Sequence, residues 1–196
     1  MYCLGKRCRS MKTVKYPVVF DTDCISSFSW VNRMDILFSV FDGELIIPAQ
    51  VYEELSKMKS FKNSDFVFFN IEREIQKNRI SVVTFNIDSG EASLYLAFIE
   101  GKITGKVMGR GEASAISIAQ FREGTVASNN FADIAAYCSR AKIPFICTDE
   151  ILYMSYVKGY ISAEEAENVR TEMKKKRRKL SEGSFIDVVK KYSQHF

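Results

Sequence analysis

Short runs of β-branched and aromatic residues alternate along this chain with stretches of helical spacing, and that alternation limits the possible folds more than any other feature. The runs lie at Tyr16 to Phe20, Leu45 to Ile47, Ile80 to Phe85, Thr125 to Ala127 and Pro144 to Cys147. Each is bounded by turn or polar residues and reads as a strand. Helical segments between them make the pattern β-α-β-α, which calls for crossover connections and a mainly parallel sheet covered on both faces. The expectation is a three-layer α/β/α domain around a five-stranded sheet.

That domain is placed at residues 16–161. Residues 1–15 read as a basic leader, dispensable at least to Met11, from which the chain would make a sensible start. Residues 162–196 read as a helical appendage packed on the same domain. One of its helices is expected to run through the basic stretch and another from about Phe185 to Tyr192, split at Ser181-Glu182-Gly183. Two helix starts are marked by a capping residue with an acid three positions later, Ser162 with Glu165 and Asp88 with Glu91.

Composition removes several function classes. The single histidine, His195, is next to last, so Ser-His-Asp and Cys-His triads and His-ligated zinc are not expected. The cysteine count of five is odd and contains no CxxC pair; Cys24, Cys138 and Cys147 lie in apolar segments and read as buried free thiols. No apolar run approaches the ~20 residues of a membrane span and no signal-peptide pattern opens the chain. A cytoplasmic protein is expected. The net charge of +4 is uneven, because Arg170 to Lys179 holds seven basic residues and one acid. Such a patch either faces a polyanion beside an acidic site or is an ordinary solvated helix.

Four acids stand where bland explanations are weakest. Asp21 follows the first apolar run, at the carboxyl end of a strand, where ligands of open parallel sheets gather; the competing reading is a helix N-cap. In AQVYEELSKM, Val51, Leu55 and Met58 define the buried stripe and Glu54 shares it, whereas Glu53 falls on the polar face. An inward glutamate implies a cation, a buried base or a water-filled cleft. Glu112 shares a face with Ile116 and Ala119 and has no capping residue three positions before it. Asp133 is open between a metal or catalytic role and the third position of a cap beginning at Asn130.

Taken together, VVFDTDCISSF, PAQVYEEL, GRGEASAISIA and ASNNFADI resemble, in order, the acidic segments of PIN-domain nucleases, in particular VapC-type ribonuclease toxins and their relatives. The similarity covers most of the chain from about Val18 to Ile161. It implies strand order 3-2-1-4-5 and a catalytic cluster of Asp21, Glu54, Glu112 and Asp133, supported by Asp23, Ser128 and Asn130. Asp23 departs from the family's usual Asn and adds a negative charge.

Oxygen donors without histidine suit Mg²⁺ or Mn²⁺. Asp21, Glu112 and Asp133 are the expected metal ligands, with Glu54 a further ligand or a base. Lys174, Lys175, Lys176, Arg177, Arg178 and Lys179 are candidates for nucleic-acid binding. The implied activity is metal-dependent endoribonuclease cleavage of RNA, as the toxin of a toxin–antitoxin pair; the implied partners are RNA, an antitoxin protein and a second copy of the chain. Two alternatives stay open. Asp-Thr-Asp at Asp21 to Asp23 is similar to the nucleophile motif of haloacid-dehalogenase-like phosphatases, with Asp149-Glu150 as its later acidic pair. The other is a non-catalytic PIN-like module that binds RNA or protein.

Overall fold

A computed structural model describes residues 14–193, without the side chains of residues 131–133. The leader up to residue 13, with Cys3, Cys8 and Met11, lies outside the described residues, as does His195.

The chain runs β1 (Val18–Phe20), α1 (Thr22–Trp30), α2 (Asp35–Val40), β2 (Leu45–Pro48), α3 (Ala49–Ser56), α4 (Asp65–Gln76), β3 (Ser81–Val83) and α5 (Gly90–Ile99). It continues through α6 (Arg110–Phe121), β4 (Thr125–Ala127), α7 (Phe131–Ala141), β5 (Phe145–Ile146), α8 (Thr148–Val157), α9 (Ala163–Lys175) and α10 (Phe185–Ser193). All five expected strands form, in the order β3-β2-β1-β4-β5, and every pairing is parallel. The sheet is therefore the three-layer arrangement that the alternation of runs demanded.

Alternation along each strand divides the core. Val18, Phe20, Leu45 and Ile47 point to one face, where α1 to α4 and α8 to α10 supply Phe28, Leu55, Phe68, Leu152, Met173 and Phe185. Val19, Ile46 and Val126 point to the other, covered by Phe98, Ile116, Ile118 and Ile134 from α5, α6 and α7. Successive strand side chains alternate between faces, so a strand of three residues, all buried, already serves both layers.

Two sequence expectations need correction. The cap of α5 is Ser89 rather than Asp88: the Ser89 hydroxyl accepts the Ala92 N–H at 3.2 Å, while Glu91 pairs with Arg122 at 2.9 Å. The helix expected to run through the basic stretch ends inside it, at Lys175. Arg177 adopts φ +57°, the Arg177 and Arg178 N–H groups bond back to the Lys174 and Met173 carbonyls at 2.8 and 3.0 Å, and the chain reverses.

Ser162 caps α9 as expected, accepting from the Glu165 N–H at 3.0 Å. Cys24, Cys138 and Cys147 are buried free thiols, and burial pushes Cys138 and Cys147 each up to about 11. No helix among the described residues is long and apolar enough to cross a membrane.

Candidate active site

β1 and β4 are neighbours, with Phe20 opposite Ala127 and the Asp21 N–H bonded to the Ala127 carbonyl at 3.0 Å. The residues that follow the two strands, Asp21 and Ser128, therefore stand side by side at the carboxyl edge of the sheet, where the order of connections reverses. An open cleft of about 220 Å³ lies there, lined by Asp21, Thr22, Asp23, Glu54, Gly109, Gly111, Glu112, Asn130 and Lys179.

Asp21 is both a cap and a cleft residue, so its two readings were not exclusive. One carboxylate oxygen accepts the Cys24 N–H at 2.7 Å as the N-cap of α1, and the group also lines the cleft. Burial raises its pKa most, with the charges of Asp23 and Glu112 adding to the rise; hydrogen bonds from Ser128 and the Cys24 N–H oppose it. The net result is a carboxyl pushed up to about 7. An acid so placed is about half protonated near pH 7 unless a cation compensates it.

Glu54 joins two elements distant in sequence. One of its oxygens accepts the Gly111 N–H at 3.0 Å, in the first turn of α6; the other accepts the Thr22 hydroxyl. Helix termini leave such N–H groups without intrahelical partners, and Gly109, the N-cap of α6, makes no side-chain cap bond. Glu54 thus supplies what a cap would. Its neighbour Glu53 is exposed and pairs with Arg110 at 3.2 Å.

Glu112, in the first turn of α6, is half-buried on the cleft wall. Ser128 is fully buried, and its hydroxyl accepts the Asn130 N–H at 3.1 Å. Asn130 borders the cleft and begins α7, without a side-chain cap bond. Asp133 belongs to the first turn of α7; its side chain lies outside the described residues.

Asp23, the departure from the resembling motif, has a counter-ion. Its Oδ1 lies 3.3 Å from Arg178 Nη1, and its Oδ2 accepts from Asn129 Nδ2 at 3.4 Å. Arg178 and Lys176 also lie over the Trp30 ring, each at 5.7 Å.

The basic run is consequently divided. Arg178 and Lys179 reach the site, while Lys175 pairs with Glu172 at 2.6 Å and Lys174 donates to the Gly183 carbonyl at 2.9 Å.

Among the described residues, no three His, Cys, Asp or Glu side chains converge closely enough to hold a metal ion in this arrangement. The donor set nevertheless fits a hard divalent cation. It consists of carboxylate and amide oxygens, and burial beside two like charges drives Asp21 toward neutrality, which a bound cation would reverse.

Sequence reasoning did not find Thr22, Asn129 or the Gly111 N–H. Thr22 and Asn129 each flank a residue it did select, the available signal; a backbone donor carries none. Asp149 and Glu150 are buried in α8 and do not line the cleft. Asp149 accepts from Arg170 Nε at 2.7 Å and from the Ser181 N–H at 2.8 Å.

A family model described as PIN domain matches residues 17–194. Among solved structures, a chain of VapBC2 from Rickettsia felis, crystallised bound to a DNA fragment from the promoter, aligns with 66% of this chain and 97% of its own length. The pair are 14% identical with a TM-score of 0.47. A chain of FitAcB from Neisseria gonorrhoeae aligns with 66% of this chain and 96% of its own, at 17% identity and a TM-score of 0.41. No curated protein matches the sequence.

Proposed function

The chain belongs to the PIN-domain family, and from that premise we propose that it is a Mg²⁺- or Mn²⁺-dependent nuclease that hydrolyses RNA phosphodiester bonds. One observation carries the reading: a buried carboxyl raised to about 7 shares an open cleft with Asp23, Glu54 and Glu112 at the carboxyl edge of the sheet. Asp21 is the buried member of the cluster, and a buried carboxylate costs several kcal/mol, of order 3 or more, unless hydrogen bonds or a cation offset it.

In this reading Asp21, Glu112 and Asp133 hold the ion. When bound, it would lower the pKa of water, orient it toward the phosphorus and neutralise charge on the phosphate. Ser128 holds Asp21 through its hydroxyl and favours the charged form. Glu54 fixes the ends of α1 and α6, and each of its oxygens keeps a second lone pair with which to orient a water. Asn130 contacts the scissile phosphate or Asp133.

The phosphatase alternative needs a second acidic pair at the same cleft, and Asp149 is instead spent on Arg170 and Ser181. The resemblance stated on sequence extends the proposal to a toxin with an antitoxin partner and a homodimeric state.

The test uses the purified chain and 5′-labelled RNA. Cleavage with Mn²⁺ or Mg²⁺ that stops with EDTA and with Asp21→Asn is the expected result; RNase activity that survives both sinks the proposal. Binding of the ion and of RNA with no cleavage of any RNA pool would support the non-catalytic module.

A further inference from the structure

Only part of the basic run reaches the cleft. After the reversal at Arg177, residues 178–180 leave α9 and pass the cleft mouth, where Lys179 joins its lining. The segment is clamped on both sides of that lysine. Before it, Arg178 pairs with Asp23 at 3.3 Å and lies over Trp30. After it, half-buried Leu180 packs on the core, and the Ser181 N–H donates to Asp149 at 2.8 Å.

The second clamp is built deep in the protein. Arg170 is fully buried; besides Asp149 it donates to the carbonyls of Ser181 and Gly183, at 3.0 and 3.2 Å. A buried guanidinium with paired donors is a costly device unless it fixes something. What it fixes is the loop that carries Lys179. That lysine is exposed and, among the described residues, makes no ion pair, although it lines the cleft together with the carboxylates of Asp21, Asp23, Glu54 and Glu112. A cation held beside acids yet bonded to none is available to an anionic ligand.

We propose that Lys179 binds a backbone phosphate of the nucleic acid in the cleft, adjacent to the bond that is cut, with Arg178 acting as the positioning residue that anchors the segment on Asp23. This rests on the nuclease reading for the identity of the strand. Arg178 also neutralises the extra charge of Asp23, which would otherwise repel that phosphate. The chemistry recognised is a phosphodiester, so the contact is indifferent to base and to sugar.

The experiment measures anisotropy of a labelled single-stranded RNA oligonucleotide, and of DNA of the same sequence, with the full chain in EDTA. Lys179→Ala is expected to weaken both by about tenfold and to reduce the slope of log K against log salt by about 0.7. Lys179→Arg keeps the charge and should restore affinity to within about twofold of the original. Lys175→Ala removes the same charge from a lysine already paired with Glu172 and should cost less than about twofold. Equal losses from Lys179→Ala and Lys175→Ala would overturn the proposal, since binding would then follow bulk charge. So would unchanged affinity in Lys179→Ala, even if the chain cuts RNA. Selective loss in Lys179→Ala from a chain that cuts nothing would uphold the phosphate contact and sink the nuclease reading alone. Failure of the original chain to bind either strand in EDTA overturns the phosphate contact alone, because the nuclease reading is decided separately by cleavage with Mn²⁺ or Mg²⁺.

Discussion

The carboxylate of Glu54 accepts the backbone N–H of Gly111 at 3.0 Å, so an acid on α3 closes the amino end of α6 from 57 residues away. The approach leaves no room for a side chain at position 111. A Cβ there would stand 2.7 Å from Glu54 Oε2 and 2.9 Å from Thr22 Oγ1.

Gly111→Ala is therefore predicted to act against propensity. In an open helix the change would stabilise by up to about 1 kcal/mol; here it should push Glu54 and Thr22 apart, lower the melting temperature and impair cleavage. Thermal unfolding and an RNA cleavage assay check it together, and a more stable, fully active variant would remove Glu54 from its proposed role.

Asp21→Asn should separate the two roles of that residue. Asparagine caps helices about as well as aspartate, so the melting temperature should change by no more than about 4 °C, or rise, because a buried charge is removed. Cleavage should fall to background. Loss of folding, seen by circular dichroism, would show that the cap was the dominant function.

Stability should depend on pH in a direction fixed by Asp21. Its folded-state pKa is raised to about 7, so the folded state binds a proton more tightly than the unfolded chain does. The contribution is fully present below the unfolded value, near 4, and is lost as pH rises through about 7. Without metal, the melting temperature should fall between pH 5 and pH 8 by roughly 5 °C or more, and Asp21→Asn should flatten that profile. Added Mn²⁺ should stabilise more at pH 8 than at pH 5.5, because at the lower pH it must displace the proton.

Ser128→Ala removes a hydrogen bond that favours the charged form of Asp21. The pKa should rise further, and the acid limb of the pH–rate profile should move to higher pH while the plateau rate changes less. A shift toward lower pH would contradict the assignment of that bond.

Removing one member of a buried pair strands the other. Arg170→Ala should cost about 3–5 kcal/mol and release the loop that carries Lys179, weakening RNA binding as well as stability. Denaturant titration and anisotropy report the two effects separately. Lys190→Ala, at an exposed lysine of α10, should alter neither by more than the few tenths of a kcal/mol, about 0.5 at most, typical of surface pairs.

The strands were legible in sequence because period-two and period-3.6 patterns are local, and burial enforces them wherever they occur. Asp21, Glu54 and Glu112 were legible for a related reason: each occupies a buried-side position at the end or start of an element, which is costly for an acid without a purpose. Tertiary structure decided which groups answer them. Thr22 and Gly111 meet Glu54, Ser128 meets Asp21 and Arg178 meets Asp23 only because parallel crossovers bring distant segments to one sheet edge, and no local pattern encodes such meetings. The six basic residues show the same division. The sequence declared a cationic stretch; the left-handed turn at Arg177 and the buried Arg170–Asp149 pair determined that two of its members reach the cleft, because long-range burial of one charge pair outweighs local helix propensity.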